Sequence, residues 1–179
     1  LQHPENTKYA YMVLRHSAQT LLAPQEYDLK DFTMPVHEQA RGSFAESIET
    51  LRGVVFILDD HLEAAKKLFQ SLLERTEHSV SETFCQLYLL QIALLEGDNE
   101  KAEEYASIRS VKSFLSLKMA DVQMIQAWYQ FKVKKDIAQT RKAMKIARQK
   151  MNSSRMLRDE QCYYENWLAE LEKALAEGV

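Results

Sequence analysis

Apolar residues recur three and four positions apart along most of the chain, a spacing typical of α-helices that pack one face against a core. The pattern predicts eight helices that are separated by short polar breaks. They cover roughly residues 8–23, 36–58, 61–78, 81–96, 99–110, 113–135, 137–151 and 156–177. Because the breaks are short, we expect consecutive helices to pack antiparallel as helical hairpins.

The first predicted helix is followed by a segment with no clear periodicity. Asn6 and Thr7 are residues that can cap its start, and Pro24 ends it. Its apolar residues fall on one side: Tyr11, Leu14, Ala18 and Leu21 or Leu22. Residues 24–35 hold two of the prolines and are predicted to form a linker packed by Tyr27, Phe32 and Met34.

The composition narrows the fold class to all-α. The 179 residues include only 4 glycines and 3 prolines, too few for the tight turns of a β-sandwich or β-barrel. No apolar run reaches the length that a membrane-spanning helix needs. We predict three segments: an N-terminal helix and linker (1–35), helical-hairpin repeats (36–155) and a C-terminal capping helix (156–179).

An internal repeat runs through the middle of the chain. Residues 51–73 and 87–108 each hold an apolar helix, an acidic turn and a second helix built around a small residue. The small residues Ala65 and Ala102 are 37 positions apart, and Thr140 takes the same place 38 positions later, in a weaker third copy. A repeat of this length is typical of arrays of helical hairpins.

These residues resemble the tetratricopeptide repeat family, in which a small residue on one helix meets an alanine on the next. In the first copy Gly53 and Ala65 are twelve residues apart with Phe56 and Phe69 beside them, and residues 97–102 resemble the turn between the family's helices. Leu90 and Trp128 depart from the pattern in the second and third copies. The resemblance covers roughly residues 44–147 and implies a short right-handed superhelical array.

The resemblance also implies a concave groove, lined by the first helix of each pair, that binds a partner peptide or helix. The groove positions that it implies are mostly apolar: Val54, Leu87, Gln91, Leu94, Ile125, Tyr129 and Lys132. Tyr129 is the best single candidate, because aromatic residues dominate binding at buried interface centres. The alternative is that this apolar stripe is part of the core, which is the more frequent role of such a stripe.

The charge is unevenly distributed. Residues 132–158 carry ten basic residues and one acidic residue, whereas the whole chain has a net charge of −3. Within this block Arg141, Lys145 and Arg148 form a basic ridge at positions i, i+4 and i+7, beside an apolar stripe of the same helix. The ridge predicts an anionic partner. The alternative is a solvated face paired with the glutamates of the last helix.

The last predicted helix carries Leu157, Tyr164, Leu168, Leu171 and Leu175 on one stripe, with Trp167 beside them. We expect it to cap the repeat array. The alternative is a homodimer through the same stripe, which an exposed Trp167 would favour.

Catalysis finds little support in the sequence, and we predict that the chain is not an enzyme. The five histidines are scattered, and no metal-binding, phosphate-loop or nucleophile-elbow motif occurs. The acidic pair Asp59 and Asp60 beside His61 is expected to lie in a turn where an aspartate caps the following helix. We predict no cofactor and no metal.

The two cysteines, Cys85 and Cys162, have no paired spacing and are each expected to be buried inside a helix. We therefore expect a reducing, cytoplasmic location. Because the chain starts at Leu1 with no signal peptide, we also expect it to be a processed product or a part of a longer protein.

The sequence thus predicts a protein–protein interaction module that acts as a scaffold, adaptor or chaperone-like subunit and does not enter the membrane. The alternative is the peptide-sensing or effector domain of a transcriptional regulator. Direct binding of nucleic acid by the basic block stays an alternative that no recognition motif favours.

Overall fold

The computed structural model describes residues 4–37 and 40–178, and within these ranges every regular element is helical. The nine α-helices of the described residues are α1 (Pro4–Leu22), α2 (Ser43–Leu58), α3 (Leu62–Arg75), α4 (Ser79–Glu96), α5 (Asn99–Ser107), α6 (Arg109–Phe114), α7 (Ala120–Tyr129), α8 (Ile137–Ser153) and α9 (Arg158–Ala176). Two short 3-10 helices, Pro24–Glu26 and Leu29–Phe32, follow α1, and a π-helical turn, Gln130–Lys134, continues α7. The predicted all-α class is confirmed.

The chain forms two compact units. Unit 1 contains Leu1–Leu89 and Leu157–Asp159, and unit 2 contains Leu90–Met156 and Glu160–Val179. Within the units, α2 packs on α3 and α7 packs on α8, so consecutive helices are in contact. The predicted segments 1–35, 36–155 and 156–179 and the predicted superhelical stacking stay predictions.

In unit 1, the side of α1 that packs against the core differs from the side that its apolar pattern predicts. Tyr9 is buried with Ala45 and Ile48 of α2, and Met12 and Val13 pack against this cluster. The Tyr9 hydroxyl accepts a hydrogen bond of 2.8 Å from the backbone N–H of His37. The side with Tyr11, Leu14, Ala18 and Leu21 is exposed instead.

The segment that follows α1 is more ordered than a linker. Leu29 and Phe32 are fully buried. The side chain of Asp28 accepts a hydrogen bond from the backbone N–H of Asp31, and the side chain of Asp31 accepts one from the backbone N–H of Asp28. The N–H of Leu29 donates to the carboxylate of Asp159 at 2.9 Å. Side-chain capping and burial therefore hold this segment in place without a long helix.

Helix α2 begins at Ser43 rather than near residue 36 as the pattern predicts. Gly42 has a φ of 103°, a backbone conformation that favours glycine, and it precedes the first turn. Further along α2, Gly53 faces Phe69 of α3 so closely that a Cβ atom at this glycine would lie 2.4 Å from the ring. The absence of a side chain at Gly53 thus allows α2 and α3 to approach.

The turn between α2 and α3 differs from the predicted capping arrangement. Asp60 adopts a left-handed conformation with a φ of 59°, and His61 holds the N-cap position of α3 without a side-chain hydrogen bond. The expectation that an aspartate caps α3 is therefore wrong. The backbone N–H of His61 donates to Phe56 O at 2.7 Å and closes the turn.

In unit 2, α5 and α8 begin directly after two of the predicted polar breaks. The side chain of Asp98 accepts a hydrogen bond from Lys101 N, and that of Asp136 accepts one from Gln139 N. Both carboxylates thus satisfy N–H groups in the first helical turn, which explains why helices begin at these positions.

The repeat alignment places small residues at positions that are fully buried in the structure. Ala65 lies in α3, Ala102 in α5 and Thr140 in α8. Burial of all three agrees with the alignment at offsets of 37 and 38 residues.

The predicted helix 113–135 is wrong at its start. Residues 109–114 form the separate short helix α6, and α7 begins only at Ala120. The buried amide of Gln123 donates to Leu115 O at 3.2 Å and to Leu117 O at 2.8 Å. These two bonds satisfy loop carbonyls that a continuous helix would have satisfied itself.

Helix α9 buries its apolar stripe within the chain. In unit 2 Trp167 stacks on Trp128 of α7, with 5.5 Å between the ring centroids. Tyr164, Leu168 and Leu171 are buried as well. Trp167 is only 5% exposed, so the exposed tryptophan that would favour a homodimer through α9 is not found. The capping role of α9 stays a prediction.

The two cysteines differ in exposure. Cys85 is buried as expected, whereas Cys162 is exposed, so the expectation of burial is wrong for Cys162. Within the described ranges, no helix has both the length and the apolar character that crossing a bilayer requires.

Candidate functional site

Helix α8 presents its basic residues outward because small and apolar residues fill its inner side. The buried residues of α8 are Thr140, Ala143, Met144, Ala147 and Met151. Ile137 belongs to the predicted apolar stripe but lies at the first turn of the helix and is exposed. Arg141, Lys145 and Arg148 follow at i, i+4 and i+7 on the adjoining exposed side.

A groove on unit 2 brings these three basic residues together with the end of α9. It has a volume of about 490 Å³, within the usual range for a binding pocket. We call it the α8 basic groove; it is lined by Arg141, Met144, Lys145, Arg148, Gln149 and Asn152 of α8 and by Glu172, Leu175 and Ala176 of α9. The groove thus combines cationic side chains with an apolar strip.

The electrostatics of the groove are dominated by positive charge. Arg148 forms an ion pair with Glu172 across the groove. Among the residues that the structure describes, Arg141 and Lys145 form no ion pair and no side-chain hydrogen bond. The alternative that the last helix neutralises the ridge therefore applies to Arg148 only.

Six residues that line the groove lie outside the predicted ridge: Met144, Gln149, Asn152, Glu172, Leu175 and Ala176. Gln149 and Asn152 lie four positions after Lys145 and Arg148, so helical periodicity was sufficient to find them. Leu175 and Ala176 come from α9, and their place in the groove depends on tertiary packing that the sequence pattern does not contain.

The predicted apolar groove is not an exposed surface. Six of its seven residues are at most 7% exposed: Val54, Leu87, Gln91, Leu94, Ile125 and Tyr129. Val54 and Leu87 belong to unit 1 and the others to unit 2. The side chains of these six residues lie in the cores of their units. A helix that is buried on more than one side also buries the positions that an open repeat array would leave exposed.

Lys132, the charged member of the predicted groove, has a structural partner. Its Nζ donates to Leu94 O at 2.6 Å and lies 4.9 Å from the centre of the Trp128 ring. Leu94 lies in the last turn of α4, where carbonyl groups lack helical partners. Burial lowers the pKa of Lys132, but its ammonium still supplies the missing donor.

Tyr129 is likewise held by its own chain. Its hydroxyl donates to Glu103 Oε2 at 2.7 Å, and Lys134 Nζ donates to Glu103 Oε1 at 2.6 Å. The hydrogen bonds from Lys134 and Tyr129 lower the pKa of Glu103, and burial together with the Glu103 contact raises the pKa of Tyr129. Tyr129 borders a second cavity of about 440 Å³, but its hydroxyl is already engaged.

In residues 4–37 and 40–178, no group of three or more histidine, cysteine or acidic side chains is placed to hold a metal ion. Asp59, Asp60 and His61 form a tight turn between helices.

Comparisons with family models, with curated proteins and with solved structures each found no match. The fold and the site define the chain as an all-α protein of consecutively packed helices that carries a basic groove with an apolar strip.

Proposed function

We propose that this chain is a protein–protein interaction module that holds an acidic, amphipathic helical segment of a partner in the α8 basic groove. It would act as a scaffold, adaptor or chaperone-like subunit. The observation that carries the proposal is the placement of all three ridge residues, Arg141, Lys145 and Arg148, around one groove that also contains Met144 and Leu175.

The groove favours a partner that has both charge and apolar surface. Carboxylates at positions i, i+4 and i+7 of a partner helix match the spacing of the three cations and form charge-assisted hydrogen bonds with them. Apolar side chains on the adjoining face of that helix bury against Leu175 and Ala176, and Met144, which is only 8% exposed, forms the floor of the groove. Exposed ion pairs contribute about 0.2–1 kcal/mol each, so the three pairs supply at most about 3 kcal/mol. An affinity in the micromolar range, which corresponds to about 8 kcal/mol, therefore requires the apolar contact as well.

A nucleic acid is the competing anionic partner. Glu172 lies in the groove and repels phosphates, and the apolar strip offers them no favourable contact. Phosphate binding also predicts an affinity that falls steeply as salt increases. These features favour the peptide.

We also propose that the chain is a tetratricopeptide-like helical repeat protein of the cytoplasm. Support for the family comes from Gly53 facing Phe69 and from the buried residues Ala65, Ala102 and Thr140 at the repeat offsets. Support for a reducing compartment comes from Cys85 and Cys162, which form no disulfide in the described residues.

A selection from a displayed library of random peptides tests the binding proposal without assuming a partner. The wild-type chain serves as bait, and a variant with Arg141→Glu and Lys145→Glu serves as counter-bait. We expect the enriched peptides to carry acidic residues at helical spacing with apolar residues on the adjoining face, and to lose enrichment on the counter-bait. Circular dichroism must show that the variant keeps its helical content.

Two results would overturn the proposal. One is enrichment of peptides that bind the counter-bait equally well, which would place the binding surface elsewhere. The other is that no peptide is enriched and the chain instead binds a 20-base-pair DNA duplex. In that case the binding constant for DNA should fall steeply as salt increases, with about the slope expected for several phosphate contacts. That result would assign the basic block to nucleic acid.

A further inference from the structure

Helix α1 exposes a continuous apolar surface that the α8 basic groove does not involve. Tyr11, Leu14, Leu21 and Leu22 are between 60% and 81% exposed. The opposite side of α1 is already packed, since Tyr9, Met12 and Val13 belong to a core cluster of unit 1. A contiguous exposed apolar surface of this kind marks an interaction site.

The spacing of this surface identifies the kind of element that covers it. Tyr11, Leu14, Ala18 and Leu21 follow one another at steps of three, four and three residues. This is the a/d spacing of a coiled-coil seam, in which side chains of one helix insert between those of a second helix. An α-helix is therefore the occupant that the seam fits.

We propose that the second helix is α1 of another copy of this chain, in antiparallel orientation, and that α1 is a homodimerisation surface. A two-fold axis midway between Leu14 and Ala18 places each Leu14 against the small Ala18 of the other copy and each Tyr11 against Leu21. Large residues then meet small ones at the centre of the seam, and the same surface serves both copies. A parallel pair would place Ala18 against Ala18 and leave a gap.

The exposed area agrees with a weak dimer. At the observed exposures the four large side chains offer about 500 Å² of apolar surface per copy. Two copies bury at most about 1,000 Å² when all of this surface is covered, including Leu22 at the edge of the seam, which is the size of a weak, transient interface. Arg15, beside the seam, lies 5.5 Å from the centre of the Phe32 ring of its own chain. We expect a reversible dimer with a dissociation constant in the micromolar range.

Sedimentation equilibrium over a concentration range from about 1 to about 500 μM tests the dimer. We expect the wild-type mass to rise from monomer to dimer, and Leu14→Glu to weaken the dimer at least about tenfold. Val80→Glu is the matched control, because Val80 is a similarly exposed apolar residue on α4 and lies outside the seam. It should dimerise like the wild type.

A wild-type chain that stays monomeric at all these concentrations would overturn the proposal. Equal loss of the dimer in Leu14→Glu and Val80→Glu would also overturn it. Circular dichroism distinguishes a loss of association from a loss of folding.

Disulfide crosslinking tests the orientation. In a Cys162→Ser background, single Leu14→Cys and Ala18→Cys variants are oxidised separately and as a mixture; Cys85 is buried and does not interfere. The antiparallel pair predicts crosslinks between the two different variants, since only these place the sulfur atoms within disulfide distance. Crosslinks that form mainly between identical variants would contradict the antiparallel arrangement.

Discussion

Arg148 of α8 and Glu172 of α9 form an ion pair across the α8 basic groove. The pair occupies one of the three cations that we assign to a partner's carboxylates. Glu172 is thus an intramolecular competitor for the same arginine, and a partner must displace it.

Substitution Glu172→Gln should therefore strengthen the binding of an acidic helical peptide. Since exposed ion pairs contribute about 0.2–1 kcal/mol, we expect an increase in affinity of about two- to fivefold. Fluorescence anisotropy of a labelled peptide from the library selection measures it. Glu177→Gln is the control. It removes the same charge close to the end of α9, but Glu177 pairs with Lys173 and does not line the groove. Equal effects of both variants would indicate a general charge effect.

Gly53→Ala should destabilise the chain. A Cβ at this position meets the ring of Phe69, and Phe69 is fully buried, so its ring has little free space to move into. Overpacking costs roughly 1–3 kcal/mol and the helix-propensity gain is up to about 1 kcal/mol, so we expect a net loss of up to about 2 kcal/mol. Urea denaturation measures the free energy of unfolding.

A double-mutant cycle with Phe69→Leu checks the cause of that loss. The smaller side chain removes the ring that the new methyl group meets, so Gly53→Ala should cost less in the Phe69→Leu background than in the wild type. An equal cost in both backgrounds would show that the ring contact is not responsible.

Cys85 should make stability depend on pH in the alkaline range. Burial, together with the nearby carboxylate of Glu46, raises the pKa of the Cys85 thiol to about 12 from an ordinary value of 9.0. The neutral thiol is favoured in the folded state, so its contribution to stability is complete below pH 9.0 and is lost as the pH rises from there towards 12.

Denaturation curves of the wild type and of Cys85→Ala, measured at several pH values, test this assignment. The difference in unfolding free energy between the two should be constant below pH 9.0 and should fall above it. Cys162→Ala is the control, since Cys162 is exposed. A difference that does not change with pH would contradict the assignment. A thiol reagent at neutral pH should label Cys162 and leave Cys85 unmodified in the folded chain.

Local chemistry explains which parts of the fold the sequence predicts well. The starts of α5 and α8 follow from Asp98 and Asp136, whose carboxylates cap the helices within a few residues. The sequence pattern does not predict the break after α6, because Gln123 stabilises this break through a side chain that belongs to the next helix. Its amide satisfies the loop by a contact that no periodic pattern reveals.

The candidate site likewise combines features of a single helix, which the sequence predicts, with features of tertiary packing, which it does not. The ridge of Arg141, Lys145 and Arg148 is a property of one helix, so periodicity was sufficient to find it. The choice between exposed and buried apolar stripes is a tertiary property. Leu94 and Leu14 lie on similar stripes, yet the first is fully buried and the second is largely exposed. The sequence pattern therefore indicates an apolar face but does not say what covers it.

The affinity of one selected acidic peptide for two charge-reversed variants tests the central claim most directly. The first variant combines Arg141→Glu with Lys145→Glu in the α8 basic groove. The second combines Arg109→Glu with Lys118→Glu, which makes the same change in net charge at exposed residues of unit 2 outside the groove. If the groove is the binding surface, the first variant binds at least about tenfold more weakly than the wild type and the second binds within about twofold of it. Equal weakening of both variants, or unchanged binding to the first, would contradict the account.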